Sequence, residues 1–215
     1  MKEQDTDLRD IPWWGTASAA FAPLLLVSGL MTAAELQPPG FAAFSGTVSS
    51  LAGEGAAYSW VMTFTFAIVG ALDVVTGVAL RAAALPGRFV LAGAGFAGML
   101  VAAFPEHLGG SLIHAWWAGL GFGGLILWPV FAVRRGADAP WALRASACYS
   151  AAATLALLTV WFAVEQATRG AEMGLAERLA GVAQTSWPLV VVLSCRRLPD
   201  EAAEIAAECT DGGGA

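Results

Sequence analysis

Apolar residues recur along this chain in six near-continuous runs separated by short polar stretches. A membrane-spanning helix needs about 20 mostly apolar residues. The runs are Trp14 to Glu35, Tyr58 to Leu80, Arg88 to Phe104, Leu112 to Val133, Leu143 to Gln166 and Leu179 to Cys195. The third is short and is bounded by Pro86-Gly87 and Pro105. None of them alternates as the strands of a membrane barrel do. Backbone groups in lipid must be satisfied internally, so helices are expected. The pattern predicts an all-α membrane protein, a six-transmembrane-helix bundle with short loops and a longer first external loop from Leu36 to Ala57. That loop carries Pro38-Pro39-Gly40 and then a run rich in serine and glycine. It is either a plain connector or a lid over the mouth of the bundle.

Composition points the same way. The chain is 57% hydrophobic and only 13% charged, where a soluble domain carries about 25% charged residues. Its mean hydropathy is +0.65. The net charge of −6 argues against nucleic acid as a partner, although much of the acid lies in the two tails. The basic residues set the orientation. With six spans, Lys2, Arg9, Arg81, Arg88, Arg134, Arg135, Arg144, Arg196 and Arg197 fall on one side, and only Arg169 and Arg178 on the other. Cytoplasmic loops carry the excess of Lys and Arg, so both termini are expected in the cytoplasm and the protein in the cell membrane. The expected layout is an acidic cytoplasmic tail over 1–13, a six-helix transmembrane domain over 14–197, and an acidic cytoplasmic tail over 198–215. No cleavable signal peptide is expected, because the first apolar run is long enough to span. Cys148, Cys195 and Cys209 have no spacing that suggests a disulfide framework or a metal site.

Small residues mark expected helix contacts. Gly93 and Ala97 are four apart, as are Ala94 and Gly98, and the fourth run carries Gly119, Gly121, Gly123 and Gly124. Such spacing lets helices approach closely in lipid, so the third and fourth runs should form a tight antiparallel pair. The tryptophans fall into two groups. Trp13, Trp14, Trp128 and Trp141 lie near the inner boundary, and Trp60, Trp116, Trp117, Trp161 and Trp187 lie in the outer half. They form either two interfacial belts or the wall of an aromatic-lined cavity.

Few residues are suited to chemistry. Asp73 stands inside the second run, eight residues before Arg81, which is about 12 Å along a helix. A carboxyl at that depth is costly and marks a functional site by default. The alternative is an acid hydrogen-bonded to another helix. At the outer ends of the runs lie Glu35, Glu106, His107, Ser111, His114, Glu165 and Gln166. Convergence of these residues would make an outward-facing pocket, in which Glu106 and His114 could carry acid–base work. The plain reading is wet polar residues at a helix hairpin. No ligand spacing for a metal is present, so neither metal nor cofactor is expected. Phe66, Trp117, Trp161, Glu165, Gln184 and Trp187 are the expected substrate-binding residues. Gln184, Thr185 and Ser186 also suit bonding between helices, and Glu177-Arg178 reads as a helix cap and interfacial anchor.

Four stretches carry a resemblance: FSGTVSSLAGEGAAYSWVM, LVAAFPEHLGGSLIHAWWAGLGFGGLILWPVFA, GLAERLAG and TSWPLVVVLSCRRL. Their order and spacing, from about Phe44 to Leu198, resemble the actinobacterial branch of the integral membrane family called domain of unknown function 998. Glu106-His107 is not part of that pattern. The resemblance implies six helices, in agreement with the charge count, and implies no settled activity. Two readings of function follow. One is an intramembrane enzyme performing proton-initiated cyclisation or isomerisation of a prenylated (terpenoid) or lipid substrate, which needs a buried acid, aromatic faces and exclusion of water. The other is a non-enzymatic protein that binds lipid or an apolar or prenylated small molecule, or that serves as a transporter component or partner subunit. Membrane lipid is the expected surrounding partner in both.

Overall fold

A computed structural model describes residues 11–42, 44–107, 111–136 and 139–196 of the chain. The described residues form seven α-helices and one 3-10 turn, with no strand among them. The helices are α1 (Trp13–Glu35), α2 (Val48–Ala52), α3 (Trp60–Ala79), α4 (Leu85–Ala103), α5 (Leu112–Ala132), α6 (Ala145–Thr168) and α7 (Met173–Arg196). Five of them, α1, α3, α4, α5 and α6, are long and apolar enough to cross a membrane. α7 is as long as α6, but Gln184, Thr185 and Ser186 interrupt its apolar run. The acidic tails fall almost wholly outside the described residues, as does Cys209.

The six long helices close into a ring. α1 packs on α3, α3 on α4, α4 on α5, α5 on α6, α6 on α7, and α7 back on α1. Contact is densest along α3–α4–α5. Glycine explains this. A Cβ on Gly70 of α3 would collide with the carbonyl oxygen of Gly95 on α4, and one on Gly95 with that of Gly70. On the other side of α4, a Cβ on Gly124 of α5 would come within 2.8 Å of the Ala94 Cβ. Small residues let backbones meet where no apolar driving force separates protein from lipid. Outward the ring presents Phe21, Leu24, Phe64, Phe89, Trp116 and Leu157, all exposed. An apolar surface of that extent has lipid as its natural solvent.

The element boundaries depart from the expected ones in instructive places. α4 begins at Leu85, so Pro86 lies inside its first turn. There a missing N–H costs nothing and the fixed φ favours a helix, so this proline starts the element and does not bound it. α7 begins at Met173, not Leu179, and takes Glu177 and Arg178 into the helix. The first loop is not a featureless connector, because it contains α2, whose Val48, Leu51 and Ala52 are buried. Trp128 is no belt residue, since it is fully buried in the inner core with Leu80, Leu91 and Val192. Trp13, Trp60, Trp116 and Trp141 do stand exposed, as belts require.

At the end of the bundle where α3 leads into α4, arginines close the helix ends. Arg88 donates from Nε to the Gly77 carbonyl at 3.0 Å and from Nη2 to the Val78 carbonyl at 2.7 Å. Arg134 donates to the carbonyls of Ala82 at 2.8 Å and Arg81 at 3.3 Å. The last carbonyls of a helix have no partner within it, and cationic side chains satisfy them well.

Candidate functional site

Between the helices of the ring lies a partly enclosed cavity of about 120 Å³. Its wall comes from α1, α2, α3, α4, α5 and α7, while α6 contributes nothing. The wall is mostly apolar, with Leu26, Leu30, Val69 and Leu125 among its members. Two aromatic rings face it, Phe66 from α3 and Phe122 from α5. Phe122 is packed in turn on Phe162 of α6, with ring centroids 5.8 Å apart.

Asp73 is on this wall. The close approach of α3 and α4 puts it there. It follows Gly70 by three residues, and a Cβ on Gly95 would come within 2.9 Å of the Asp73 Cβ. The residue is 3% exposed, and its Oδ1 has no hydrogen-bond partner among the described residues. Among the described residues, no side-chain hydrogen bond joins it to a neighbouring helix. One turn on, Thr76 makes the polar contact to α1 instead, with its hydroxyl 2.8 Å from that of Ser18.

Gln184 reaches the cavity from α7 and is fully buried. Its amide nitrogen donates to the Thr159 hydroxyl at 3.0 Å and lies 3.5 Å from the Phe122 carbonyl. Its Oε1 has no partner among the described residues. Thr185 beside it donates its hydroxyl to the Gly181 carbonyl at 3.0 Å.

The first loop borders one end of the cavity, and the residues that hold it are Glu177 and Arg178. The Glu177 carboxylate accepts from the backbone N–H of Val48 at 2.6 Å, and from the N–H of Ser49 at 3.3 Å and its hydroxyl at 3.0 Å. Arg178 donates to the Gly46 carbonyl at 2.9 Å and to that of Gly174 at 2.7 Å. At the base of the loop, Gln37 bonds both the carbonyl and the N–H of Ala57. Val48, Ser49, Glu177 and Arg178 all line the cavity. The sequence reading of Glu177 as a cap is right in chemistry but misplaced. It caps α2, 129 residues away, and not its own helix. The signal available in sequence was the adjacent charged pair Glu177-Arg178.

The expected outer pocket does not gather. His114 is buried, with Nδ1 2.9 Å from the Phe104 carbonyl across the α4–α5 hairpin and Nε2 without a partner among the described residues. It does not line the cavity, and neither do Glu106, Trp117, Trp161, Glu165 or Trp187. Glu106 serves through its backbone, accepting at its carbonyl from the N–H of Glu54 at 3.0 Å. His107 pairs with Glu54 at 2.8 Å on the surface. Glu165 accepts from the N–H of Glu172 at 3.0 Å and so ties the α6–α7 turn. Trp187 packs against the inner core. Of the nine side chains singled out from sequence, Asp73, Phe66 and Gln184 share one cavity. Among the described residues no group of three or more His, Cys, Asp or Glu is placed to hold a metal.

A ring of long apolar helices with lipid-facing side chains outside and a buried carboxyl inside defines a multi-pass membrane protein. Residues 20–194 match the family described as a protein of unknown function (DUF998), and the chain belongs to that family. No curated protein and no solved structure matches the chain.

Proposed function

We propose that the protein crosses the cell membrane six times with both termini in the cytoplasm, and that its central cavity binds a small molecule with an apolar body, held by Asp73. α7 is the sixth span in this reading. Its place in the ring between α6 and α1 supports that, as does the lopsided distribution of arginines. The observation that carries the binding reading is the buried, unbonded Oδ1 of Asp73 in a mostly apolar cavity. A polar group buried without a partner costs about 1–3 kcal/mol. Such a cost inside a membrane helix points to a partner that arrives from outside. The cavity is close in size to the roughly 150 Å³ that admits one benzene ring in an engineered apolar core.

The test is native mass spectrometry of protein taken from its own membranes in mild detergent. A small molecule should remain bound to the wild type. It should be lost in Asp73→Asn and in Ala118→Phe, which fills the cavity. Identical spectra for all three, without a bound molecule, would remove the reading.

One observation favours the enzymatic alternative: Phe66 and Phe122, whose rings could stabilise a developing positive charge, line the same cavity as Asp73. Against it, proton transfer from Asp73 to an alkene would leave a carboxylate among apolar side chains with no donor or ion-pair partner among the described residues. Trp117, Trp161 and Trp187 are not on the cavity wall. Turnover of a prenylated substrate, abolished in a well-folded Asp73→Asn variant, would decide for the enzyme.

A further inference from the structure

Three polar side chains on the cavity wall with Asp73, those of Gln184, Thr185 and Ser49, donate hydrogens inside the protein. The Gln184 amide nitrogen donates to Thr159 and approaches Phe122. The Thr185 hydroxyl donates to Gly181. The Ser49 hydroxyl donates to Glu177. The oxygens of Asp73 and Gln184 are left over, buried and unmet. With Asp73 ionised, these two residues offer acceptors. The exception is Arg178 at the α2 end, a cation on the same wall whose Nη1 donates to the Gly46 and Gly174 carbonyls. A ligand that brought only acceptors would leave the two unmet oxygens as they are. A ligand that brings N–H donors has partners to offer them.

Charge and shape narrow the class. A carboxylate at Asp73 needs a counter-charge, and it forms no ion pair among the described residues. Phe66 and Phe122 line the same space, and the face of an aromatic ring attracts cations. Charge-assisted N–H···O⁻ bonds are roughly twice as strong as neutral ones.

We propose that the cavity takes an organic ammonium, a molecule with an apolar body of about one ring and a protonated amine that donates to Asp73 and Gln184. This rests on the binding reading above and names its ligand class. Leu26, Leu30 and Val69 enclose the apolar body, and the two acceptors take the head.

The experiment titrates three probes built on one benzyl group into the full-length protein in phosphatidylcholine nanodiscs, with protein-free nanodiscs as the blank. Benzylammonium has charge and N–H donors, benzyltrimethylammonium has charge alone, and benzyl alcohol has a neutral donor. Calorimetry should show saturable benzylammonium binding at least about tenfold tighter than that of benzyl alcohol, since a charge-assisted pair replaces a neutral one. Benzyltrimethylammonium should fall between them. Asp73→Asn should lower benzylammonium affinity by about tenfold or more and leave benzyl alcohol unchanged. Equal binding of benzylammonium and benzyl alcohol to the wild type overturns the ammonium class while leaving an apolar binding cavity in place. Equal binding of the two ammonium probes overturns the role of N–H donation. Absence of saturable binding by all three overturns both this inference and the reading beneath it. The wild-type series decides without any variant, so a poorly folding Asp73→Asn does not weaken the test.

Discussion

Two buried carboxyl groups in this bundle have opposite relations to their surroundings. Glu177 is fully engaged, with three donors from α2 converging on it. Asp73 has an oxygen that meets nothing. Their truncations should therefore differ. Glu177→Ala strands three donors at once and should cost about 3 kcal/mol or more. Asp73→Asn and Asp73→Leu strand no partner and should leave the thermal unfolding midpoint in detergent near the wild-type value. A large loss of stability in Asp73→Leu would reveal a structural partner and argue against a site kept for a ligand. The inward position of Asp73 was legible in sequence, because a lipid-facing carboxyl has no physical remedy. The engagement of Glu177 was not. Its partners lie 129 residues away and are mainly backbone groups, which carry no side-chain signature. His114 was read as chemistry because histidine at a wet hairpin titrates and binds metals. In the fold it is a buried clasp on the Phe104 carbonyl.

At the scale of elements, the glycine pattern announced close packing but not which glycines would meet. Gly93, Gly119 and Gly123 face open space, whereas Gly70 and Gly95 press backbone on backbone. Four-residue spacing marks a smooth face, and several faces of α4 qualify, so pairing is settled only by the partner helix. The distinction is testable with a single added methyl group. Gly95→Ala should drive α3 from α4 and cost about 1–3 kcal/mol. Gly93→Ala should be neutral or slightly stabilising, because alanine favours helix over glycine. Thermal unfolding of the two variants side by side checks this, and equal effects would contradict the packing described. The six long elements were all visible as apolar runs, with ends displaced where a proline starts a helix or a charged pair continues one. α2 was hidden, since five residues leave no periodicity to read.

For the molecule as a whole, the number of crossings decides where its ends lie. Reporter fusions at Gly136 should read cytoplasmic and those at Gly170 external. A reporter placed after Leu198 should again read cytoplasmic if α7 crosses, and an external signal there would reduce the protein to five spans. The arginines that suggest this orientation are not loose surface charges. Arg88 and Arg134 hold the carbonyls where α3 ends and turns into α4. Small membrane proteins can change their topology over evolutionary time when a few basic residues migrate from one set of loops to the other. In the orientation proposed above, losing Arg88 or Arg134 would remove a sorting signal and free the carbonyls between α3 and α4 in the same step.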